Sequence, residues 1–396
     1  MYKRSQYQTI KKRLEEPRRF IQVVMGPRQV GKSTVVKQVL DDIRIPYRFF
    51  SADNVPASDT LWISQCWESV RTSKQIGNHD DMILVIDEIQ KIKRWSEAVK
   101  AEWDKDTFHN TNIKVLLLGS SRVMLEKGLA ESLAGRFEEI RMSGWSFVEM
   151  RDCFGYTIDQ YMYFGGYPGA ASLIDDFDRY QQYMMSAIVD ATINKDILME
   201  SPVNKPALLR QTFELASAYS GNILSYTKMI GQLQDAGNTT TLANYLNLLN
   251  QACMVDGLSK FSNDRARRRG SIPKFQVYDN SLKNLYMPYT FETAKNNPKV
   301  WGHIFESAIG SYLLSQSFIH RFEVCYWREG NDEVDFVVHK NGVIVALEIK
   351  SNDTKHTSGL TKFVEHFHPD KAIIVGSGGI TAEEFLQLDF NSLLKK

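Results

Sequence analysis

Residues 20–43 read FIQVVMGPRQVGKSTVVKQVLDDI: a short β-branched run, a glycine-punctuated turn, then a segment whose apolar positions recur at helical spacing. That order is strand, loop, helix. The loop satisfies G-x-x-x-x-G-K-[ST] from Gly26 to Ser33, and between a strand and a helix the pattern carries a definite chemistry. Gly26 and Gly31 let the backbone of Pro27, Arg28, Gln29 and Val30 curl so that successive N–H groups face phosphate oxygens, while the start of the helix adds favourable potential for an anion. Lys32 is expected to neutralise the β- and γ-phosphates of ATP and Ser33 to ligate Mg²⁺, with Thr34 completing the nucleotide-binding set. A glycine-rich turn that merely ends in Lys-Ser is the plain alternative.

A second stretch supports the first. MILVIDE (82–88) is a fully apolar strand ending in two carboxylates, as expected of a buried parallel strand that delivers acids at its C-terminal edge. Asp87 is expected to hold Mg²⁺ through water, and Glu88 stands where a general base orients the attacking water. KVLLLGSS (114–121) reads as a third strand of the same kind. Ser120 or Ser121 either contacts the γ-phosphate or water, or caps the following RVMLEKGLAE helix.

Together GPRQVGKST, ILVIDEIQ, LLLGSS, SLAGRF, GGYPGA (165–170) and the closing LEIKS resemble a widespread bacterial and archaeal family of AAA-type P-loop ATPases. Its members join the ATPase to a C-terminal domain of uncertain function with a nuclease-like fold. The resemblance spans nearly the whole chain and implies an α/β protein. The expected parts are a P-loop ATPase core over 1–155, a helical lid over 156–215, a winged helix over 216–290 and a nuclease-like α/β/α domain over 295–396. In the family pattern Arg136 of SLAGR is a recurring arginine. It is a candidate to stabilise the γ-phosphate, in cis or across a subunit boundary, with a structural salt bridge as the alternative; self-association into a homo-oligomer is considered alongside it.

The 396 residues exceed one ordinary domain, and 43% hydrophobic with 24% charged residues is the composition of a globular protein. A net charge of +1 implies no global attraction to nucleic acid or membrane, so any anion-binding surface must be local. Cys66, Cys153, Cys253 and Cys325 are far apart and form no CxxC pair, which argues against zinc and disulfide frameworks and for a reducing cytoplasm. The charged N-terminus has no apolar signal region and no run is long enough to span a bilayer.

Residues 158–200 show helical spacing and no catalytic cluster, which reads as the lid. SYTKMIGQLQDAGNTTTLANYLNLLNQACMV fits two helices joined at Ala236-Gly237-Asn238, with Thr239 or Thr240 capping the second. GLSKF and KFQVYD follow as strands around SNDRARRRGSIP. Arg265, Arg267, Arg268 and Arg269 crowd that wing, either as a non-specific clamp on duplex DNA or as a solvated loop used in protein contacts. The second helix offers Thr241, Asn244 and Asn247 but no Arg or Lys, which disfavours base reading.

EVDFVVHKNGVIVALEIK (333–350) is a hairpin around Asn341-Gly342, the strongest short signal for a type I′ turn. The turn sets Lys340 opposite Val343, Val338 opposite Val345, Asp335 opposite Glu348 and Glu333 opposite Lys350. Facing carboxylates are destabilising unless something positive lies between them, and a divalent cation is the simplest candidate, with Lys350 beside it to act on water or a phosphorane. An ordinary half-solvated hairpin is the alternative. The resemblance implies more: Asp335 with Glu348-Ile349-Lys350 matches the active-site pattern of the PD-(D/E)xK nuclease-like fold. There a preceding helix adds an acid, here Glu306, although a lone Glu on an amphipathic helix is commonly solvent-facing. His339, His356, His366 and His368 show no zinc spacing and are read as surface residues. The expected function is Mg²⁺-dependent ATP hydrolysis coupled to nucleic-acid handling, with phosphodiester cleavage at Asp335, Glu348 and Lys350. The rival is an ATP-controlled switch whose nuclease-like domain is inert and recruits a protein partner.

Overall fold

In a computed structural model the chain is described at residues 2–120, 128–130, 132–199, 201–234, 237–262, 264, 270–351 and 358–395. It divides into two compact units, Met1–Met142 and Ser143–Lys396. The expected join at 155 therefore differs from the edge of the first compact unit. Helix Phe147–Phe154, with its Ser146/Glu149 capping box, is part of the second.

The first unit is an α/β layer structure built on a five-stranded parallel sheet in the order β2-β3-β4-β1-β5. The strands are β1 (Ile21–Met25), β2 (Tyr47–Ser51), β3 (Met82–Asp87), β4 (Ile113–Gly119) and β5 (Phe137–Arg141). β1 and β4 are buried along their full length, which is why they read as unbroken apolar runs rather than alternating ones. One sheet face packs Val24, Leu116 and Leu118 against Val35, Val36 and Val39 of helix Lys32–Asp42. The other packs Val23, Leu84 and Leu117 against Trp67, Trp95 and Val99. Parallel pairing brings the C-terminal ends of β1, β3 and β4 to one edge, where Met25 lies level with Gly119.

The second unit begins with short helices over 147–183 and a π-helical stretch over 184–198. Helices Pro206–Ala218, Tyr226–Ile230 and Thr239–Gln251 follow, then the antiparallel ribbon of β6 (Val255–Leu258) and β7 (Lys274–Val277). Three boundaries differ from the sequence reading. The middle helix ends at Ile230, and the last is capped by Asn238, whose Oδ1 accepts the Thr241 N–H at 2.9 Å, rather than by Thr239 or Thr240. β6 starts at Val255, two residues ahead of GLSKF. Arg265, Arg267, Arg268 and Arg269 lie outside the described residues, as do Ser121 and His356.

Helix Pro298–His320 then packs on a four-stranded sheet, order β11-β10-β9-β8, made of β8 (Glu323–Glu329), β9 (Asp332–Lys340), β10 (Val343–Lys350) and β11 (Lys371–Gly376). Helix Ser358–Phe367 covers part of the opposite face through Leu360 and Phe363. Asn341 and Gly342 both have positive φ, 51° and 82°, and the register runs Lys340↔Val343, Val338↔Val345, Phe336↔Leu347. Regular pairing stops there. Asp335 turns its carboxylate to accept the Ile349 N–H at 2.7 Å. The Glu333–Lys350 pairing does not form: Lys350 pairs with Glu348 at 2.6 Å, and Glu333 faces Lys274 and Arg328.

Candidate functional site

In the first unit the loop 26–31 leaves β1 and enters helix Lys32–Asp42 through two residues with positive φ, Gln29 (61°) and Gly31 (87°). A Cβ on Gly26 would lie 1.9 Å from the Met142 carbonyl oxygen, so only glycine lets the loop start this close to the end of β5. Lys32 is buried and donates from Nζ to the carbonyls of Gly26 (2.9 Å) and Pro27 (2.8 Å), which folds its charge over the loop. Ser33 Oγ donates to Asp87 Oδ2 at 2.7 Å, joining the loop to the end of β3. The other Asp87 oxygen accepts the Glu88 N–H at 2.9 Å. Burial raises the Asp87 carboxyl above its ordinary range, and the Ser33 hydrogen bond only partly offsets this. A half-buried carboxylate and a hydroxyl in contact beside a loop lysine form a donor set suited to a hard, oxygen-seeking dication.

Glu88 sits in the left-handed region at φ 54°. Its Oε2 accepts from Gln90 Nε2 at 2.8 Å and from Ser120 Oγ at 3.1 Å, so β3 and β4 jointly aim it. Gln90 was not singled out from sequence; its position two residues past the acid is the only signal. Arg136 is elsewhere. Its guanidinium makes a two-pronged pair with Asp104 at 2.8 and 3.1 Å, and its carbonyl accepts the Ile21 N–H at the entry of β1. At about 3.3 Å per residue, the strand separates that edge from the phosphate loop by roughly 16 Å. Within the chain Arg136 makes the salt bridge that the sequence reading kept as one of its alternatives.

In the second unit Glu306, Asp335, Glu348 and Lys350 are brought together, with one residue sequence reasoning missed. Lys274, at the foot of β7, has a fully buried side chain whose Nζ lies 2.7 Å from Glu306 Oε1, 3.4 Å from Glu333 Oε1 and 4.0 Å from Asp335 Oδ1. It also donates to the Asp335 carbonyl at 3.2 Å. Glu306 is thus turned inward rather than to solvent. Burial alone would lower the Lys274 pKa, but Glu306, Asp335 and Glu333 outweigh it and hold the ammonium charged. Burial, with the neighbouring charge of Glu306, raises both Asp335 and Glu348; Lys274 opposes the shift at Asp335, and Lys350 opposes it at Glu348. Glu348 Oε2 is buried and accepts no hydrogen bond.

Among the described residues no group of three or more His, Cys, Asp or Glu side chains is arranged to hold a metal ion. A pair of carboxylates, Asp335 and Glu348, the latter with one orphaned oxygen, still fits a cation that keeps most of its water. His366 and His368 are exposed, while His339 is half-buried beside Phe261.

GGYPGA takes no part in either site. Gly166 N–H donates to the buried Asp279 carboxylate at 2.8 Å, and Asp279 also accepts from Ser281 N (3.0 Å). Asp279 thereby caps helix Asn280–Asn284, from which Asn280 and Asn284 donate to the Met162 and Tyr163 carbonyls, each at 2.7 Å. Lys283 of that helix, fully buried on the Ser220 and His303 carbonyls, is lowered to about 8 by burial.

Residues 18–151 match the family model of an AAA domain. Residues 156–290 and 301–384 each match a model described as a domain of unknown function. An uncharacterized protein of Haemophilus influenzae is 23% identical over 90% of this chain and 89% of its own length. An uncharacterized protein of Mycobacterium tuberculosis is 25% identical over 85% of this chain and 71% of its own. Among solved structures, the Aeropyrum pernix ORC1 protein in complex with DNA is 12% identical and covers 71% of this chain and 91% of its own, with a TM-score of 0.32. No described helix is long and apolar enough to cross a membrane.

Proposed function

With an AAA-type P-loop module in its first unit, we propose that this chain is a Mg²⁺-dependent ATPase whose second unit handles nucleic acid. The observation that carries the first part is the linked set Lys32, Ser33, Asp87, Glu88 and Ser120 at the C-terminal edge of the parallel sheet. Backbone N–H groups of Arg28–Gly31 bind the phosphates, Lys32 swings from its carbonyl partners to the terminal phosphates, and Ser33 with Asp87 would hold the ion. There Mg²⁺ would supply neutralisation of phosphate charge. Glu88 orients the attacking water and takes its proton, while Ser120 and Gln90 fix the carboxylate.

For the second unit the support is the arrangement of Asp335, Glu348 and Lys350 on neighbouring strands, facing Glu306, next to three helices and a ribbon of winged-helix order. In this reading Asp335 and Glu348 hold a divalent ion, Lys350 stabilises charge on the scissile phosphate, and the wing arginines contact duplex DNA. A second reading, an inert platform that recruits a protein, is favoured by one observation: Glu306 and Glu348 are already ion-paired with Lys274 and Lys350. Two assays decide. ATP turnover should fall in Lys32→Ala, and equal rates would remove the loop assignment. Plasmid nicking with Mg²⁺ or Mn²⁺, with and without ATP, should be lost in Lys350→Ala; no nicking under any nucleotide condition supports the platform.

A further inference from the structure

We propose that Lys274 is a built-in cation in the acid cluster of the second unit, so that the cluster takes up one divalent metal ion and not two. The inference rests on the reading of Asp335 and Glu348 as metal-holding. An ammonium has three donor hydrogens, and the acceptors nearest Lys274 Nζ are Glu306 Oε1 at 2.7 Å, the Asp335 carbonyl at 3.2 Å and Glu333 Oε1 at 3.4 Å. Two carboxylates and a backbone carbonyl are the oxygen donors that hard dications recruit. A structural ion pair needs one acid; this lysine has three within 4.0 Å and no exposed side-chain surface.

Charge points the same way. Four carboxylates, Glu306, Glu333, Asp335 and Glu348, face Lys274, Lys350 and, beside Glu333, Arg328, so the two lysines already supply the two positive charges that a second dication would bring. The place left for that ion is marked independently: Glu348 is 6% exposed and its Oε2 is buried without a hydrogen-bond partner. Glu306 and the Asp335 carbonyl, which would complete a second site, are engaged by the lysine.

Manganese counting tests this on the full chain without nucleotide, in an Asp87→Asn background that silences the phosphate-loop metal, by the electron paramagnetic resonance signal of free Mn²⁺. One ion per chain is expected, falling to none in Glu348→Gln. Lys274→Gln should bind a second ion or bind the first at least about tenfold tighter, because a positive charge 4.0 Å from Asp335 Oδ1 is gone, and its unfolding temperature should rise with Mn²⁺ more than that of the parent. Two ions with Lys274 in place overturn the proposal, as does a Lys274→Gln protein that folds and binds one ion with parental affinity. If Lys274→Gln folds only when Mn²⁺ is present, the proposal stands; if it does not fold at all, the parental count decides. A parental count of zero removes the metal-holding reading itself, a failure distinct from the other two.

Discussion

Replacing Gly165 by alanine tests whether the GGYPGA segment is an anchor. Gly165 has φ 71° and ψ −157°, a region essentially confined to glycine, where another residue costs on the order of 1–3 kcal/mol. An added Cβ would also stand 1.8 Å from Asp279 Oδ1 and 2.7 Å from its Cγ. Asp279 cannot step aside cheaply: it is buried and bonded to Gly166 N, Ser281 N and Ser281 Oγ at 2.8, 3.0 and 2.5 Å. Losing one hydrogen bond to a charged group costs about 1.5–3 kcal/mol. Together the two effects amount to roughly 2.5–6 kcal/mol, a large part of a typical domain stability of about 5–15 kcal/mol. Gly155→Ala is the control, since Gly155 has φ 73° in the ordinary left-handed well and nothing within 4 Å of an added Cβ; its cost should be about 1–2 kcal/mol. Urea unfolding followed by hydrogen exchange should show lost protection over 158–166 and 280–284 in Gly165→Ala, with Val23, Val24 and Leu84 in the first unit unchanged. If Gly165→Ala is no more destabilising than Gly155→Ala, the anchoring role of Asp279 is wrong.

Glu88→Gln keeps acceptors for Ser120 and Gln90, so nucleotide binding should persist while phosphate release slows by about 10²–10⁴-fold; unchanged turnover would move the base elsewhere. Arg136→Ala removes a half-exposed pair with Asp104, so stability should change by only about 0.5 kcal/mol, and single-turnover hydrolysis at high dilution should be unaffected; a large loss there would contradict the separation of Arg136 from its own cradle. Asp335 and Glu348 are raised in the folded state, mainly by burial, so they bind protons more tightly folded than unfolded. Their contribution to stability should therefore grow as pH falls from the raised values toward the ordinary carboxylate range near about 4. Metal-free unfolding of the second unit should occur at higher temperature at pH 5.5 than at 7.5, with a shallower slope in Asp335→Asn; a steeper slope in that variant would show that other groups set the dependence.

What could be read from sequence divides by the range of the interactions. The phosphate loop was legible because its chemistry is contiguous: two glycines, a lysine and a serine between a strand and a helix are enough to define it. The 333–350 hairpin was legible because Asn341-Gly342 sets the register by itself. The role of Arg136 stays open in the sequence because a motif carries no information about which edge of a sheet it reaches; that follows from β5 running parallel to β1. GGYPGA could be recognised without being understood, since its partner Asp279 is more than a hundred residues away. Lys274 is the most instructive miss. In KFQV the apolar Phe275 and Val277 alternate with Lys274 and Gln276, the pattern of a strand with one face in water. All four residues are nevertheless buried. Phe275 and Val277 enter the helical core, while Gln276 donates to the Ser307 carbonyl at 2.8 Å and Lys274 reaches the acids. Polar alternation marks a solvated face only when nothing polar lies opposite; here helix Pro298–His320 and β9 present the carboxylates that make a buried ammonium stable.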